Sequence, residues 1–182
     1  MIDKITLVKN NISHFEKLQI IETNNLQFLG NENGTINIYD NAKMKNLTGG
    51  ILIKISNDKL KIQGSIHKYF NFLINRKLEN YNVFTMPDFS ETMIKLFTNI
   101  GITDLNFLVV DFEIGLNVMT GETAPKEFLQ KAQSIGLKDG KERKLYVNPK
   151  FKNERFLCTQ MHKDNTVVFR IYDKNFERID KG

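Results

Sequence analysis

Two hairpin patterns in the first third of the chain constrain its fold more than any other feature. Residues 26–39 read LQFLG, NENG and TINIY, and residues 51–63 read ILIKI, SND and KLKIQ. The Asn-Gly pair in the first pattern supplies the left-handed backbone that tight turns require. With a further strand expected over residues 1–8, these patterns predict an antiparallel sheet. Residues 12–21 fit a helix or a strand equally well.

Helical periodicity appears later in the chain. Residues 87–100 begin with Pro87 and are followed by Gly101, which suit the start and the end of a helix. The residues expected on its core face are Phe89, Met93, Leu96, Phe97 and Ile100. A second helix is predicted over residues 125–135, and residues 75–82 are expected to form a loop. The predicted fold class is α+β, an antiparallel sheet flanked by about two helices, in a single domain over residues 1–182.

The stretch of residues 60–71, LKIQGSIHKYFN, combines strand-forming, backbone-bending and metal-capable residues. If the strand continues past Gly64, then Ser65, His67 and Tyr69 lie on one polar face. An exposed strand end with a surface histidine would show the same pattern. Both interpretations stay open on spacing alone.

Residues 105–118, LNFLVVDFEIGLNV, predict a long strand with one apolar face and one acidic face. The apolar face would carry Leu108, Val110, Phe112, Ile114, Leu116 and Val118. The opposite face would carry Asp111, Glu113, Gly115 and Asn117. Carboxylate and amide oxygens, together with an imidazole such as that of His67, suit Mg²⁺ or Mn²⁺. Two solvated or salt-bridged acids are the alternative.

The C-terminal quarter reads as a loop over residues 138–144 followed by the strand-like segments KLYV, RFLCTQM and TVVFRIYD, with a turn at residues 162–165. In the last strand Arg170, Tyr172 and Lys174 would share a face, on which a phosphate could bind beside a phenol. A cationic strand face in water has the same spacing.

Charge and composition restrict the partners. The net charge is +5, and residues 1–137 carry 14 basic and 14 acidic residues, so the whole excess lies after residue 137. A basic segment of this kind suits a polyanion such as nucleic acid. A lone cysteine, Cys158, excludes an internal disulfide, and with no signal-peptide pattern it predicts a cytoplasmic protein. No apolar run is long enough to span a membrane.

Three of these segments resemble, in the same order, the N-terminal region of phage and plasmid replication initiation proteins, especially the Bacteroidetes type related to filamentous-phage gene II. They are LKIQGSIHKYFN (60–71), FEIGLNV (112–118) and FRIYDK (169–174). The resemblance implies a rolling-circle endonuclease of the HUH type, with a small antiparallel sheet flanked by helices and a divalent metal. Family members usually continue into a further region after the third motif, so a truncated relative and a natural short form are both open alternatives.

In such an enzyme the metal polarises the scissile phosphate of single-stranded DNA at the replication origin. A tyrosine then forms a 5′-phosphotyrosine bond and releases a 3′-hydroxyl, which allows later rejoining. The resemblance implies Tyr172 as the nucleophile, with Tyr69 and Tyr81 as rivals, and Lys174 as the group that stabilises the phosphate.

For the Mg²⁺ or Mn²⁺ ion, the resemblance implies His67 and Glu113 as ligands, and Asp111 is a further candidate by position. The nucleic-acid-binding candidates are Lys68, Tyr69, Asn71, Asn117 and Arg170. Two other functions remain open: a DNA-binding module without catalysis, and a regulatory phage protein that keeps the fold. In the binding module the basic C-terminal quarter would hold phosphates, and aromatic residues of the sheet would stack on bases.

Overall fold

The computed structural model describes residues 2–30, 37–80, 82–115, 121, 123–124, 127–128, 134–138, 140–144, 159–163 and 168–172. The chain divides into two compact units, Met1–Leu116 and Asn117–Gly182. Each unit has its own sheet structure. The expectation of one domain over residues 1–182 stays a prediction.

The first unit is built on a six-stranded antiparallel sheet, which confirms the predicted α+β class. Its strands are β1 (Ile2–Lys9), β2 (Gln27–Gly30), β3 (Asn37–Asp40), β4 (Leu52–Ser56), β5 (Lys59–Ser65) and β6 (Leu108–Ile114). They lie in the order β2-β3-β4-β5-β1-β6. Both predicted hairpins form, since β2 pairs with β3 and β4 with β5. The first strand returns to the centre of the sheet, where it separates β5 from β6.

Three helices are found in the described part of this unit: α1 (His14–Thr23), α2 (Ile66–Asn75) and α3 (Met86–Ile100). The ambiguous segment over residues 12–21 is therefore mainly helical. Ser13 determines where α1 begins, because its side chain accepts a hydrogen bond of 3.1 Å from the backbone N–H of Glu16. A short 3₁₀ turn, Lys45–Thr48, lies between β3 and β4.

The third helix matches the sequence prediction closely. Thr85 and Asp88 cap each other's backbone at its start, Pro87 lies in the first turn, and Gly101 ends it in the left-handed conformation. Hydrogen bonds from the side chain and backbone of Thr85 lower the pKa of the Asp88 carboxyl. The predicted core face is confirmed, because all five of its members are buried or packed against the core.

The core lies between one face of the sheet and the three helices. Register places Ile62 of β5 opposite both Leu7 of β1 and Ile53 of β4, so these side chains share the helix-covered face. The helices contribute Ile20, Ile66, Tyr69, Leu96 and Ile100 to the same cluster. Alternation puts the other residues of these strands on the opposite face of the sheet, called the open face below, on which Thr6 and Val8 of β1 are nevertheless buried.

Lys9, the last residue of β1, joins three segments of this unit. Its ammonium group lies 2.8 Å from a carboxylate oxygen of Glu16 in α1 and 2.8 Å from one of Asp104, which follows α3. The lysine is 7% exposed. Burial by itself lowers the pKa of Lys9, but hydrogen bonds and charge attraction from the two acids outweigh burial and raise it.

Replacing Lys9 with methionine (Lys9→Met) is expected to lower the free energy of unfolding at pH 7 by about 2 kcal/mol, because two acids lose a shared partner. A raised pKa in the folded state stabilises the protein fully below the unfolded pKa, 10.5, and this contribution is lost as the pH rises through the folded value. Urea denaturation at pH 8 and pH 11.5 tests this, and the difference between wild type and Lys9→Met should shrink at the higher pH. A difference that stays constant with pH would contradict the role of the ion pairs.

The second unit contains two antiparallel hairpins. They are formed by β7 (Ser134–Lys138) with β8 (Lys141–Lys144) and by β9 (Thr159–Lys163) with β10 (Val168–Tyr172). The predicted hairpin near the end of the chain is confirmed. The predicted helix over residues 125–135 is wrong at its end, because Ser134 and Ile135 belong to a strand, although residues 127 and 128 are helical.

The predicted loop over residues 138–144 is also wrong, because Lys138 is the last residue of β7 and Lys141–Lys144 form β8, which pairs with β7. Gly140 takes the left-handed conformation there, with φ of 73°. The Asp-Gly pair at residues 139–140 is a strong hairpin signal when strand-like residues flank it. The lysines around this pair interrupt the alternation of apolar residues by which a strand is usually predicted.

Within the described ranges, no helix is long and apolar enough to cross a membrane.

Candidate functional site

The segment at residues 60–71 changes from strand to helix instead of continuing as a strand. Strand β5 ends at Ser65, whose side chain accepts a hydrogen bond of 3.1 Å from the backbone N–H of Lys68 and so caps α2. Asp3 fixes this cap, because its carboxylate accepts a 2.6 Å hydrogen bond from the Ser65 hydroxyl. The predicted polar strand face that included His67 and Tyr69 is therefore wrong.

Helix α2 places the buried side chains of His67 and Asn71, which are one helical turn apart, in a polar network. The Nε2 atom of His67 lies 2.7 Å from Oδ1 of Asn82, and its ring stacks on Phe84 with a centroid distance of 4.6 Å. Asn71 donates from Nδ2 to the carbonyl of Glu79 at 2.8 Å and to Oδ1 of Asn82 at 2.7 Å, and it accepts from Nδ2 of Asn82 at 2.9 Å. His67 and Asn71 are 1% and 3% exposed. Together they fasten the loop after α2 to the helix.

The acidic residues proposed as partners of His67 lie elsewhere. Asp111 and Glu113 pair with Thr6 and Lys4 in neighbouring β1, and these positions alternate with the core residues Ile5 and Leu7. Both acids are exposed and belong to the open face, whereas His67 is packed on the helix side. The described residues contain no group of three or more His, Cys, Asp or Glu that could hold a metal. The structure thus does not bring together the expected ligands of Mg²⁺ or Mn²⁺.

Strand β6 differs from the regular alternation expected over residues 105–118. Thr6 pairs with Asp111 but the next residue, Leu7, pairs with Val109, so Val110 is an extra residue in a β-bulge. After the bulge the faces exchange, and Val109 and Phe112 lie on the helix side. The predicted core face of Leu108, Val110, Phe112 and Ile114 is wrong, since every residue of β6 is exposed. Residues 116–118 lie outside the described residues.

The open face carries a group of lysines that the sequence interpretation did not select. Lys54 and Lys61 are direct cross-strand neighbours on β4 and β5. Lys4 lies between Ser65 and Glu113 in the adjoining strands. All three are partly exposed, and none forms an ion pair with another described residue. Like charges directly opposite each other destabilise a sheet, so an anion on this face would relieve the repulsion.

Thr6 lies near these lysines, in a row between Gln63 and Asp111. The residue is 4% exposed, and among the described residues nothing hydrogen-bonds to its buried hydroxyl. An unsatisfied buried hydroxyl costs about 1–3 kcal/mol. The open face therefore combines positive charge with a buried hydroxyl that no described residue satisfies.

Aromatic residues of the sheet lie away from this face. Phe28 and Tyr39 are cross-strand neighbours with a ring-centroid distance of 5.2 Å, and Tyr39 packs against the core. Phe112 lies opposite Ile5, also on the helix side. Among the described residues of the six-stranded sheet, no aromatic ring therefore lies on the open face for the expected stacking of bases.

The other candidates on α2 differ in accessibility. Lys68 is partly exposed. Tyr69 is 5% exposed, and its hydroxyl oxygen accepts a hydrogen bond of 2.8 Å from Nδ2 of Asn99. Burial raises the pKa of the Tyr69 phenol, although the hydrogen bond from Asn99 opposes this effect. A buried phenol that resists ionisation is poorly suited to attack a DNA phosphate.

Tyr172 and Arg170 lie in strand β10 of the second unit, where they pair with Thr159 and Met161 of β9. The strand expected around FRIYDK is confirmed over these residues. Lys174, Asn117 and Tyr81 lie outside the described residues.

The sequence contains a pattern that could have identified two of the lysines on the open face. In ILIKI and KLKIQ, Lys54 and Lys61 alternate with isoleucines and leucines, so a two-residue period already places them opposite the core. Their pairing across two strands depends on the register of the β4–β5 hairpin. The place of Lys4 on the open face depends on the position of β1 in the middle of the sheet. No local pattern in the sequence reveals that position.

Comparisons with known proteins gave no match: neither a protein family, nor a curated protein, nor a solved structure is significantly similar to this chain.

Proposed function

We propose that this protein binds single-stranded DNA through the open face of its six-stranded sheet, as the DNA-binding part of a replication initiator. The observation that carries the proposal is the presence of three partly exposed lysines, Lys4, Lys54 and Lys61, on that face. Ammonium groups bind backbone phosphates.

Charge elsewhere in the chain supports the same partner. The excess of positive charge lies after residue 137, in the second unit. Because no described residue of the open face is aromatic, phosphate contacts dominate the proposed interaction, and we expect strong dependence on salt and little preference among bases.

Replacing Lys4, Lys54 and Lys61 together with glutamine is expected to weaken the binding of single-stranded DNA at least tenfold at low salt. The slope of log affinity against log salt concentration should fall by about 2, since each phosphate contact on a single strand contributes about 0.7. Fluorescence anisotropy with a labelled oligonucleotide at several salt concentrations measures both quantities.

The matched control replaces Lys43, Lys45 and Lys77, three exposed lysines outside the sheet, with glutamine. This variant has the same net charge as the first. If the two variants lose affinity equally, the effect comes from net charge and not from the open face. If wild type binds no single-stranded DNA at low salt, the proposed function is wrong.

Nicking of the bound strand is a second candidate, favoured by Asp111 and Glu113 on the same face as the lysines. Two exposed carboxylates next to phosphate-binding lysines could share a divalent cation with DNA. In this form of the proposal the Tyr172 phenol attacks the phosphodiester, a 5′-phosphotyrosine bond forms, and the 3′-oxygen leaves with a proton. Lys174 would stabilise the phosphate, as the resemblance implies, and Arg170 is a supporting candidate by its position and charge.

Tyr172→Phe is expected to abolish a covalent protein–DNA band while leaving affinity for single-stranded DNA within about twofold, because only the nucleophilic oxygen is removed. Wild type and variant are incubated with Mn²⁺ or Mg²⁺ and labelled DNA from the protein's own replicon, then separated on a denaturing gel. A wild-type band that persists in chelator would contradict metal dependence. Binding without any band would leave the DNA-binding module as the function.

A further inference from the structure

A cavity on the helix side of the sheet has no role in the proposed DNA surface. Its volume is about 380 Å³, within the usual range for small-molecule sites. It lies among the ends of α1, α2 and α3, the 3₁₀ turn and the start of β4. All the residues that line it belong to the first unit. It lies opposite the open face, so its function can be tested separately.

Close packing holds one wall of the cavity in place. Gly49 has φ of 67°, and a β-carbon there would lie 2.5 Å from the Tyr69 ring, so the glycine loop fits directly against α2. Asn41 fixes the neighbouring loop: it donates to the Thr48 hydroxyl and the Ile51 carbonyl, both at 2.9 Å, and accepts from the Ile53 N–H at 2.8 Å. The pocket is therefore largely formed before any ligand binds.

Three polar side chains along the cavity have hydrogen-bonding capacity left over. Tyr69 accepts a hydrogen bond from Asn99, but its own O–H donates to no described residue. Asn99 uses its Nδ2 in that bond, and Asn24 uses its Nδ2 for the carbonyls of Ile20 and Ile100 at 2.8 and 3.0 Å. Among described residues, the Oδ1 atoms of both asparagines accept no hydrogen bond. The residues that line the cavity thus include one donor and two acceptors without a described partner, the acceptor of Asn99 belonging to an exposed side chain.

The positively charged side chain of Arg76 lies at the rim of the cavity. Arg76 follows α2 in the left-handed conformation, with φ of 63°, and its guanidinium lies 5.1 Å from the centre of the Phe72 ring. The side chain is exposed and forms no ion pair with a described residue. Phe72, Leu73 and Met44 supply apolar lining nearby.

We propose that this cavity binds a nucleoside monophosphate, with the base among Tyr69, Asn24 and Asn99 and the phosphate on Arg76. A base has hydrogen-bond donors and acceptors on one edge, which match two amide oxygens and a phenolic O–H. Its flat faces suit the aromatic and aliphatic lining. A guanidinium can bind a phosphate through two parallel hydrogen bonds.

Calorimetric titration of the full chain with the monophosphates of adenosine, guanosine, cytidine and uridine tests this inference. We expect saturable binding of at least one of them, and binding at least tenfold weaker for the matching nucleoside, which lacks the phosphate. Benzoate is the comparison probe, because it supplies an anion and a flat ring without donors for the asparagine oxygens. Equal binding of benzoate would overturn the nucleotide assignment, and so would the absence of saturable binding by all four monophosphates at millimolar concentration.

Two variants test the geometry. Arg76→Gly removes the cation and relieves the left-handed backbone, so it should fold and bind the monophosphate about tenfold or more weakly, with little change for the nucleoside. Tyr69→Phe keeps the ring and removes the donor, and it should bind both about threefold to tenfold more weakly.

Lys77→Gln is the matched control, because it removes one exposed positive charge beside Arg76 but does not line the cavity. Its affinity for the monophosphate should equal that of wild type. A loss equal to that of Arg76→Gly would mean that general charge attraction, and not the cavity, binds the phosphate. Unchanged affinity in both cavity variants would also overturn the inference.

Discussion

Replacing Gly49 with alanine is expected to lower the free energy of unfolding by about 3 kcal/mol, the sum of a backbone penalty and a steric one. Its φ of 67° is a conformation that an alanine adopts only at a cost. The new methyl group would also lie 2.5 Å from one carbon of the Tyr69 ring and 3.0 Å from one of Phe72. Both rings belong to α2, so relief of the clash would shift the helix. Urea denaturation followed by circular dichroism measures the loss.

Gly50→Ala separates these two causes. Gly50 has φ of 79°, but a β-carbon there would meet only Leu78, at an ordinary 3.6 Å. The Gly50→Ala substitution should therefore lower the free energy of unfolding by about 1–2 kcal/mol, which is the backbone penalty without the clash. Equal losses for the two variants would show that the loop is not packed tightly against α2.

Replacing Asn71 with alanine is expected to cost about 3 kcal/mol, because the side chain makes three hydrogen bonds within a buried network. The substitution also leaves a small cavity between α2 and the loop that follows it. His67 keeps its bond to Asn82, but Asn82 loses the two hydrogen bonds that it shares with Asn71. The free energy of unfolding gives the size of the effect, and amide hydrogen exchange in residues 77–84 should become faster because the loop is no longer fastened to α2.

Asn75→Ala is the control for this experiment. It lies one turn later on α2, is exposed, and accepts one hydrogen bond of 3.0 Å from the backbone N–H of Lys77. We expect a loss below about 1 kcal/mol and no change in exchange near residue 82. If Asn71→Ala costs as little as this control, the network does not stabilise the fold.

The network changes the interpretation of His67. Its Nε2 is engaged with Asn82 and its ring with Phe84, so the residue helps to hold the loop after α2. The acidic residues proposed with it, Asp111 and Glu113, lie on the open face beside the lysines. The open face is thus the better place to test both DNA binding and a divalent cation, and His67 is better tested for stability.

Local patterns determined much of the fold. The two hairpins follow from alternating apolar residues and turn residues, since each depends on neighbours within a few positions of the chain. Helix α3 follows from its cap, its apolar period and Gly101, which are likewise local. These local patterns were sufficient to predict the α+β class.

Tertiary structure decided the candidate site. Residues 60–71 become half strand and half helix because the Ser65 cap is fixed by Asp3, which lies 62 residues away in the sequence. The faces of β6 exchange because a bulge at Val110 adjusts its pairing with β1. Lys4 shares the open face with Lys54 and Lys61 because β1 pairs with β5 in the middle of the sheet. Sequence alone determined which segments could form strands and helices, whereas register and long-range pairing decided which side chains meet, because these depend on partners that no local pattern specifies.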